Sequence, residues 1–263
     1  MVHSRGWRDR SKGEGRVAAT SGRVRLADRK RAFAREEILN AAERLLLAGD
    51  LPDFSMRALS EEAGVSFATP FNHFGSKTGI LRSLAQRMFD AITDRYVADS
   101  ATGAGDAIDR TFMMGQAGCA VWLERPAVHR YLIGTLVAGG PAAGGGSADD
   151  PEEFRRRSRA LWILALGDHD GIDPAMRPLA VGALPEQLAI MFRGAAALWA
   201  GGEVADDQFG AAVDLGIATS LIGYVPAGRR DDLTGRIARA AAVLAPRGAV
   251  GESVVVATGS QPD

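Results

Sequence analysis

The stretch SMRALSEEAGVSFATPFNHFGSK, residues 55–77, decides the fold of this chain. Ser55 is a good N-cap for a short helix whose apolar side is Met56, Leu59 and Ala63, and Gly64 supplies a left-handed residue at its end. Ser66 can cap a second short helix, which Gly75 ends. Two short helices joined by so tight a turn form a helix-turn-helix.

The residues on either side of this stretch show helical periodicity. Apolar residues before it recur three or four positions apart, and Gly49 closes that helix. These residues are Ile38, Leu39, Ala42, Leu45 and Leu46. After it, Ser76 can cap a longer helix that carries Ile80, Leu81, Leu84, Met88, Ile92 and Tyr96. The pattern predicts a three-helix head followed by a long helix.

The rest of the chain is also predicted to be helical. Helical spacing continues near 106–124, 126–138, 151–166, 178–201, 206–224 and 229–244, between segments rich in glycine and proline. Alternation typical of strands is nearly absent, and aromatic residues make up only 6% of the chain. The apolar residues are mostly Ala and Leu, which favour helices, so the expected fold class is all-α.

Charge is distributed unevenly along the 263 residues, whose net charge is −1. Residues 1–82 hold 15 Lys/Arg against 10 Asp/Glu, whereas residues 83–263 hold 16 against 22. We therefore predict a disordered basic tail over 1–31, a DNA-binding head over 32–81, a helical body over 82–246 and a second disordered tail over 247–263. The basic half is the candidate partner of a polyanion.

The block from Arg35 to Lys77 resembles the DNA-binding head of the TetR/AcrR-type transcriptional regulators. The residues that carry the resemblance are Ile38-Leu39, Ala41-Ala42, Met56-Arg57, Ala63-Gly64-Val65-Ser66, Thr69, His73-Phe74, Ser76-Lys77 and Leu81. The resemblance implies an N-terminal helix-turn-helix head and a C-terminal helical body that binds an effector and dimerises. It also implies a double-stranded DNA operator as partner.

The resemblance assigns DNA contacts to the second short helix and its flanks. Base edges are expected to meet Phe67, Ala68, Thr69 and Asn72, and phosphates to meet Ser55, Arg57, His73 and Lys77. Phe71 stands where the family usually has Tyr, so a phosphate-binding hydroxyl is missing although the ring can still pack. Pro70, in place of the usual Leu, fits only near the first turn of a helix, because proline has no N–H.

The body carries the resemblance less sharply. Residues 178–201 and 206–224 look like the paired helices through which such proteins form homodimers, with Trp199 and Leu221 among the apolar residues expected at the interface. A small apolar effector is expected between the long helix and those that follow it. Its expected contacts are Met88, Phe89, Phe112, Met113, Trp122, Tyr131 and Trp162. Ordinary core packing remains the alternative for these residues.

Two other classes of function are alternatives to DNA binding. An all-helical enzyme would need titratable residues at catalytic spacing, and neither Cys119 with His129 nor the run Asp168-His169-Asp170 provides it. A helical interaction scaffold that never meets DNA is the other alternative. The sequence predicts no enzyme activity, no cofactor and no metal site.

The expected function is a transcriptional regulator, a repressor that a small apolar effector releases from its operator. The N-terminus lacks the apolar stretch of a signal peptide, and no apolar run approaches the length of a membrane span. We therefore expect a cytoplasmic protein without a membrane partner.

Overall fold

The computed structural model describes residues 11–48, 53–101, 103, 105–136 and 150–245. Every regular element in these ranges is an α-helix, as the sequence predicted. The helices are α1 (Ser11–Ala48), α2 (Met56–Glu62), α3 (Ala68–Phe74), α4 (Lys77–Ser100), α5 (Ala107–Glu124), α6 (Pro126–Leu136), α7 (Asp150–Leu166), α8 (Arg177–Ala200), α9 (Asp206–Leu221) and α10 (Ala227–Leu244). The chain divides into two compact units, Met1–Leu84 and Ala85–Asp263.

The first unit is built around one face of α1. Ile38, Leu39, Ala42 and Leu46 of this helix are buried, and α1 packs against α2 and α3. Leu59 of α2 is fully buried as well. These are the apolar positions that helical spacing indicates, so the periodicity of the sequence corresponds to a real core face.

Helix α1 starts earlier than the sequence predicted. Residues 11–31, expected in a disordered tail, lie in α1, and residues 1–10 fall outside the described residues. Ala, Arg, Lys and Leu are frequent in this stretch and favour helix. Extending an existing helix also avoids the cost of nucleating a new one. The expected second tail, 247–263, lies outside the described residues too.

The second unit has an aromatic centre formed by α5, α7, α8 and α9. The rings of Trp122 and Phe192 lie 5.0 Å apart, and those of Trp162 and Phe192 lie 5.7 Å apart. Trp199 and Phe209 stack at 5.1 Å. Large rings meeting at these distances bury much apolar surface and fix how the four helices pack.

Glycines let these helices come close together. A Cβ added at Gly118 of α5 would lie 2.7 Å from Cζ of Phe192, and one added at Gly115 would lie 2.5 Å from Cδ1 of Ile217. Gly216 of α9 is similarly close to the side chain of Met191. Several contacts of the core therefore depend on the absence of a methyl group.

Because of this packing, we expect two Gly→Ala substitutions to change the stability of the protein in opposite directions. In an exposed helix interior the change stabilises by about 1 kcal/mol, because alanine has the higher helix propensity. At Gly134, where no atom lies within 4 Å of the added Cβ, we expect the melting temperature to hold or rise. At Gly118 we expect it to fall, because overpacking costs about 1–3 kcal/mol and Phe192 is held between Trp122 and Trp162. Thermal melting that ranks the two variants equally would contradict this packing.

Candidate nucleic-acid interface

The turn between α2 and α3 is a tight turn centred on a glycine. Gly64 has φ +64°, a conformation that glycine adopts without strain. The amide of Ala63 donates to the Leu59 carbonyl at 2.9 Å, and the amide of Val65 donates to the Ser60 carbonyl at 3.0 Å. These bonds close the end of α2 and set the direction in which α3 leaves.

Helix α2 has the cap that the sequence predicts, whereas the predicted side-chain cap of α3 by Ser66 does not form, because Phe67 occupies the N-cap position. The Ser55 hydroxyl accepts from the Ala58 amide at 3.0 Å and caps α2. Helix α3 begins at Ala68, two residues after Ser66, so Pro70 is its third residue and falls within the first turn. The Ser66 carbonyl accepts from the Thr69 amide at 2.9 Å. The structure therefore accommodates the unusual proline by starting the helix late.

The end of α3 is fixed by two glycines. Gly75 has φ +74°, and its amide donates to the Phe71 carbonyl at 2.8 Å. A Cβ at Gly79 would lie 2.0 Å from the Phe74 carbonyl oxygen, so α4 begins hard against the end of α3. The Ser76 hydroxyl caps α4 by accepting from the Gly79 amide at 3.1 Å. These contacts fix where α3 ends and where α4 begins.

One face of α3 is exposed and largely uncharged. Phe67, with 58% of its surface exposed, precedes the helix, and Phe71 is 39% exposed. Their rings lie 5.3 Å apart. Ala68 and Asn72 are exposed at the neighbouring positions. The structure thus brings three of the predicted base-contacting residues, Phe67, Ala68 and Asn72, together with Phe71 on one accessible surface, which we call the α3 face.

Thr69 and His73 are less accessible than the α3 face. The Thr69 and Ser66 hydroxyl groups are hydrogen-bonded to each other at 2.7 Å, so the Thr69 side chain is already engaged. His73 is half-buried. Burial, followed by the charges of Arg31 and Arg35, lowers the pKa of the His73 imidazole below its usual value. Histidine is therefore mainly neutral here at neutral pH and able to donate one hydrogen bond.

The two predicted phosphate contacts with a full charge are both paired in the structure. Arg57 is exposed, with its Nε 3.1 Å from Glu61 Oε1 in an ion pair along α2. Lys77 forms an ion pair with Asp53, and its Nζ lies 5.0 Å from the ring centre of Phe54. Exposed ion pairs of this kind contribute about 0–1 kcal/mol, so a phosphate can displace either acid at little cost.

Sequence reasoning missed two arginines of α1 near this surface. Arg35 donates from Nη1 to the His73 carbonyl at 3.1 Å and from Nη2 to Ser83 Oγ at 2.8 Å. Its guanidinium also lies 4.3 Å from the ring centre of Phe74. Arg31 is exposed one turn earlier and acts electrostatically on His73. Their spacing of four residues is the only signal in the sequence, because their partners lie about 40 positions away.

In the second unit, the residues predicted to hold an effector are mostly core. Met88, Phe89, Phe112, Trp122 and Trp162 are buried, whereas Met113 and Tyr131 are only half-buried. The indole N–H groups of Trp122 and Trp162 find no acceptor among the described residues. A cleft of about 230 Å³ does lie between α4 and α7, the predicted location, although Phe89 alone of the seven lines it. Its lining is Phe89, Asp90, Thr93, Arg157, Ala160, Leu161 and Leu164.

Two of the residues predicted at the dimer interface, Trp199 and Leu221, are not available for a partner. Trp199 and Leu221 are fully buried within the single chain, and Trp199 donates from Nε1 to Asp206 at 2.7 Å. Helix α9 is instead covered by α10. Helix α8, by contrast, exposes Leu179, Ile190 and Leu198. The expectation that Trp199 and Leu221 join two subunits is therefore wrong for these side chains.

Cys119 and the acidic run Asp168-His169-Asp170, weighed above as possible catalytic or metal residues, have structural features in this fold. Burial raises the pKa of the Cys119 thiol to about 12, so it stays protonated and is a poor nucleophile. Arg110 forms an ion pair with Asp170 at 2.5 Å and lies 3.5 Å from Asp168, which fixes the loop before α8.

No metal-binding group of His, Cys, Asp or Glu occurs in the described ranges. None of the helices there is long and apolar enough to cross a membrane.

Comparison with known proteins finds relatives of part of the first unit. Residues 38–84 match the family model described as bacterial regulatory proteins, tetR family. The HTH-type transcriptional regulator AlkX of Mycobacterium tuberculosis is 30% identical over 93 residues, 35% of this chain. That match spans 44% of the relative, less than half of its length.

Two solved structures are similar to this chain, and the first of them supports the fold alone. A TetR transcriptional regulator from Rhodococcus sp. RHA1 superimposes with a TM-score of 0.50 at 22% identity, over 70% of this chain and 96% of that one. A gamma-butyrolactone receptor (ArpA-like protein) has a TM-score of 0.45 at 15% identity, over 80% and 97%. The family match covers the same helix-turn-helix that the hydrogen bonds and caps define. Residues 38–84 are thus similar to the helix-turn-helix segment of the tetR family of bacterial regulatory proteins.

Proposed function

We propose that this protein is a DNA-binding transcriptional regulator, a repressor that acts as a homodimer in the cytoplasm and leaves its operator when a small apolar effector binds. The observation that carries the proposal is the α3 face, an exposed and uncharged surface held by glycine turns at both ends. A helix of this kind enters the major groove of B-DNA, where base edges are accessible.

The α3 face has the chemistry to discriminate between bases. Asn72 can form two hydrogen bonds with one adenine, and Phe67 and Phe71 offer apolar surface to thymine methyl groups. Arg57, Lys77 and the Ser55 hydroxyl flank this face in sequence and supply phosphate contacts, to which Arg31 adds positive charge. Two exposed phenyl rings on a short helix are costly in water, which is consistent with a surface that is covered when the protein works.

A homodimer is proposed because one short helix contacts too few base pairs to be specific. Two heads on half-sites about 34–36 Å apart double the contacts. The surface that supports this is the α8 stripe, defined here as Leu179, Ala183, Ile190, Gly194, Ala197 and Leu198. A Cβ at Gly194 would meet no atom within 4 Å, so the stripe is open. Small residues among exposed apolar ones allow close approach of a second helix.

An apolar effector is proposed for the α4–α7 cleft. Leu161, Leu164 and Phe89 give it an apolar lining, while Arg157 and Asp90 pair across its rim at 3.3 Å. Helix α4 is continuous from Lys77 to Ser100, so the cleft and a proposed phosphate contact share one helix. An effector shifts DNA binding only if it prefers one of two conformations of the protein.

DNA recognition is tested by substitutions within the head. Asn72→Ala should weaken binding to a duplex selected from random DNA by about 1–3 kcal/mol and affect unrelated duplexes little. Lys77→Ala should weaken both kinds of duplex alike, because a phosphate contact is blind to sequence. Asn40→Ala, at the only other asparagine of the chain, is the control and should behave as wild type. Wild-type affinity of the double variant Asn72→Ala and Lys77→Ala in mobility-shift titrations would refute the proposal.

The dimer is tested with two isoleucines of similar exposure. Ile190 on α8 is 51% exposed and Ile163 on α7 is 46% exposed. Ile190→Asp should give monomers, because a charge in a closed apolar interface is left unpaired. Ile163→Asp should stay dimeric. Light scattering at about 10 µM measures this, because a dimer with a Kd below about 1 µM is mostly associated at that concentration. A monomeric wild type, or a dimeric Ile190→Asp, rules out this interface.

The effector site is tested with two adjacent positions of α7. Leu164 lines the cleft and Ile163 does not, although the two side chains are equally exposed. Apolar metabolites that raise the melting temperature of the wild type should do so for Ile163→Lys but not for Leu164→Lys, whose ammonium lies in the apolar lining. The same compounds should lower DNA affinity. A compound that stabilises the protein without changing DNA affinity would argue against the coupling.

A further inference from the structure

A second cleft, of different chemistry, lies between α9, α10 and one residue of α5. Its volume is about 410 Å³, within the roughly 300–1,000 Å³ that is typical of small-molecule sites. Each long helix contributes one face with helical spacing. The lining is Asp207, Gly210, Ala211 and Asp214 of α9, Arg236, Arg239, Ala240 and Val243 of α10, and Gln116 of α5. Small residues keep the two helices from filling the space between them, and a Cβ at Gly210 would meet no atom within 4 Å.

The acidic part of this cleft is Asp214. It accepts a hydrogen bond from Gln116 Nε2 at 2.8 Å, and no ion pair to it is found among the described residues. Burial raises the pKa of its carboxyl, against the opposing effects of Gln116 and Arg236. A cation that enters the cleft stabilises the charged form of this half-buried carboxylate, because the ion pair offsets the hydration that the carboxylate loses on burial.

The basic part of the cleft consists of two arginines that differ in their contacts. Arg236 is engaged: its guanidinium lies 4.2 Å from the ring centre of Phe112, and its Nε lies 3.3 Å from Asp232 Oδ2. Arg239 is exposed, and within the described part of the chain no carboxylate lies at ion-pair distance from it. It is therefore ready to bind an anion.

Asp214 and Arg239 line the same cleft from two neighbouring helices. Helices α9 and α10 run antiparallel, since Gln208 near the start of α9 donates to the Val243 carbonyl near the end of α10 at 3.2 Å. Asp214 interacts electrostatically with Arg236, and Arg239 lies three residues further along α10, about 4.5 Å along the axis. One short molecule can therefore span from the carboxylate to the guanidinium.

We propose that this cleft binds a small zwitterion, an amino-acid-like molecule with a primary ammonium at one end and a carboxylate at the other. The ammonium pairs with Asp214 and the carboxylate with Arg239, while Ala211, Ala240 and Val243 contact the chain between them. The two acidic and two basic residues of the lining balance, which matches a ligand without net charge. This site is separate from the α4–α7 cleft proposed for an apolar effector.

The test uses calorimetric titration of the full chain with 4-aminobutyrate and 6-aminohexanoate. Hexylamine and hexanoate, each with one of the two charges, are the reference compounds. At least one zwitterion should bind roughly tenfold more tightly than either reference, because it alone forms both ion pairs. No heat from either zwitterion up to about 50 mM would overturn the proposal, since such weak binding is below any useful affinity.

Variants separate the two ends of the site. Asp214→Asn keeps the size of the side chain and should weaken zwitterion binding roughly tenfold, and Arg239→Gln should do the same, because hydrogen bonds to charged groups are the stronger ones. Asp231→Asn and Arg230→Gln, exposed on α10 outside the cleft, are the matched controls and should bind as wild type. Zwitterion affinity equal to wild type in Asp214→Asn and Arg239→Gln would assign the binding elsewhere and refute this site. Circular dichroism confirms that each variant is folded.

Discussion

The left-handed backbone at Gly64 is the constraint on which the rest of the head depends. With φ +64° at this residue, the chain reverses between α2 and α3 within a few residues. A second left-handed glycine, Gly75, ends α3 and lets α4 begin against it. These two turns decide which side chains of a seven-residue helix face outward, and Phe67, Phe71 and Asn72 are the result. A short helix has too few hydrogen bonds to hold its own direction, so the turns must supply it.

The second unit depends on a different interaction, the close packing of aromatic rings. Phe192 lies between Trp122 and Trp162, and Gly118 leaves it room. The three rings line neither of the two clefts. One cleft lies between α4 and α7, and the other lies against α10. The apolar cleft and the charged cleft lie between different helices.

Local patterns predicted much of this architecture. Helical spacing placed the helices of the body within a few residues of their observed ends, and glycine with serine caps located the turn at Gly64. What the patterns missed depends on residues far apart in the chain. Trp199 looked like an interface residue because periodicity cannot tell a core face from a subunit face. The bond from Arg35 to His73 and the cover that α10 provides for α9 are likewise long-range contacts.

The most direct measurement of the central claim, that the head lies against DNA phosphates, is the pKa of His73 by NMR with and without a selected duplex. In the free protein, burial and the charges of Arg31 and Arg35 hold this pKa below 6.5. A phosphate beside the imidazole favours its charged form, so the pKa should rise on binding, and DNA affinity should increase as pH falls through that range. A pKa of His73 that stays the same when saturating DNA is added would contradict the account.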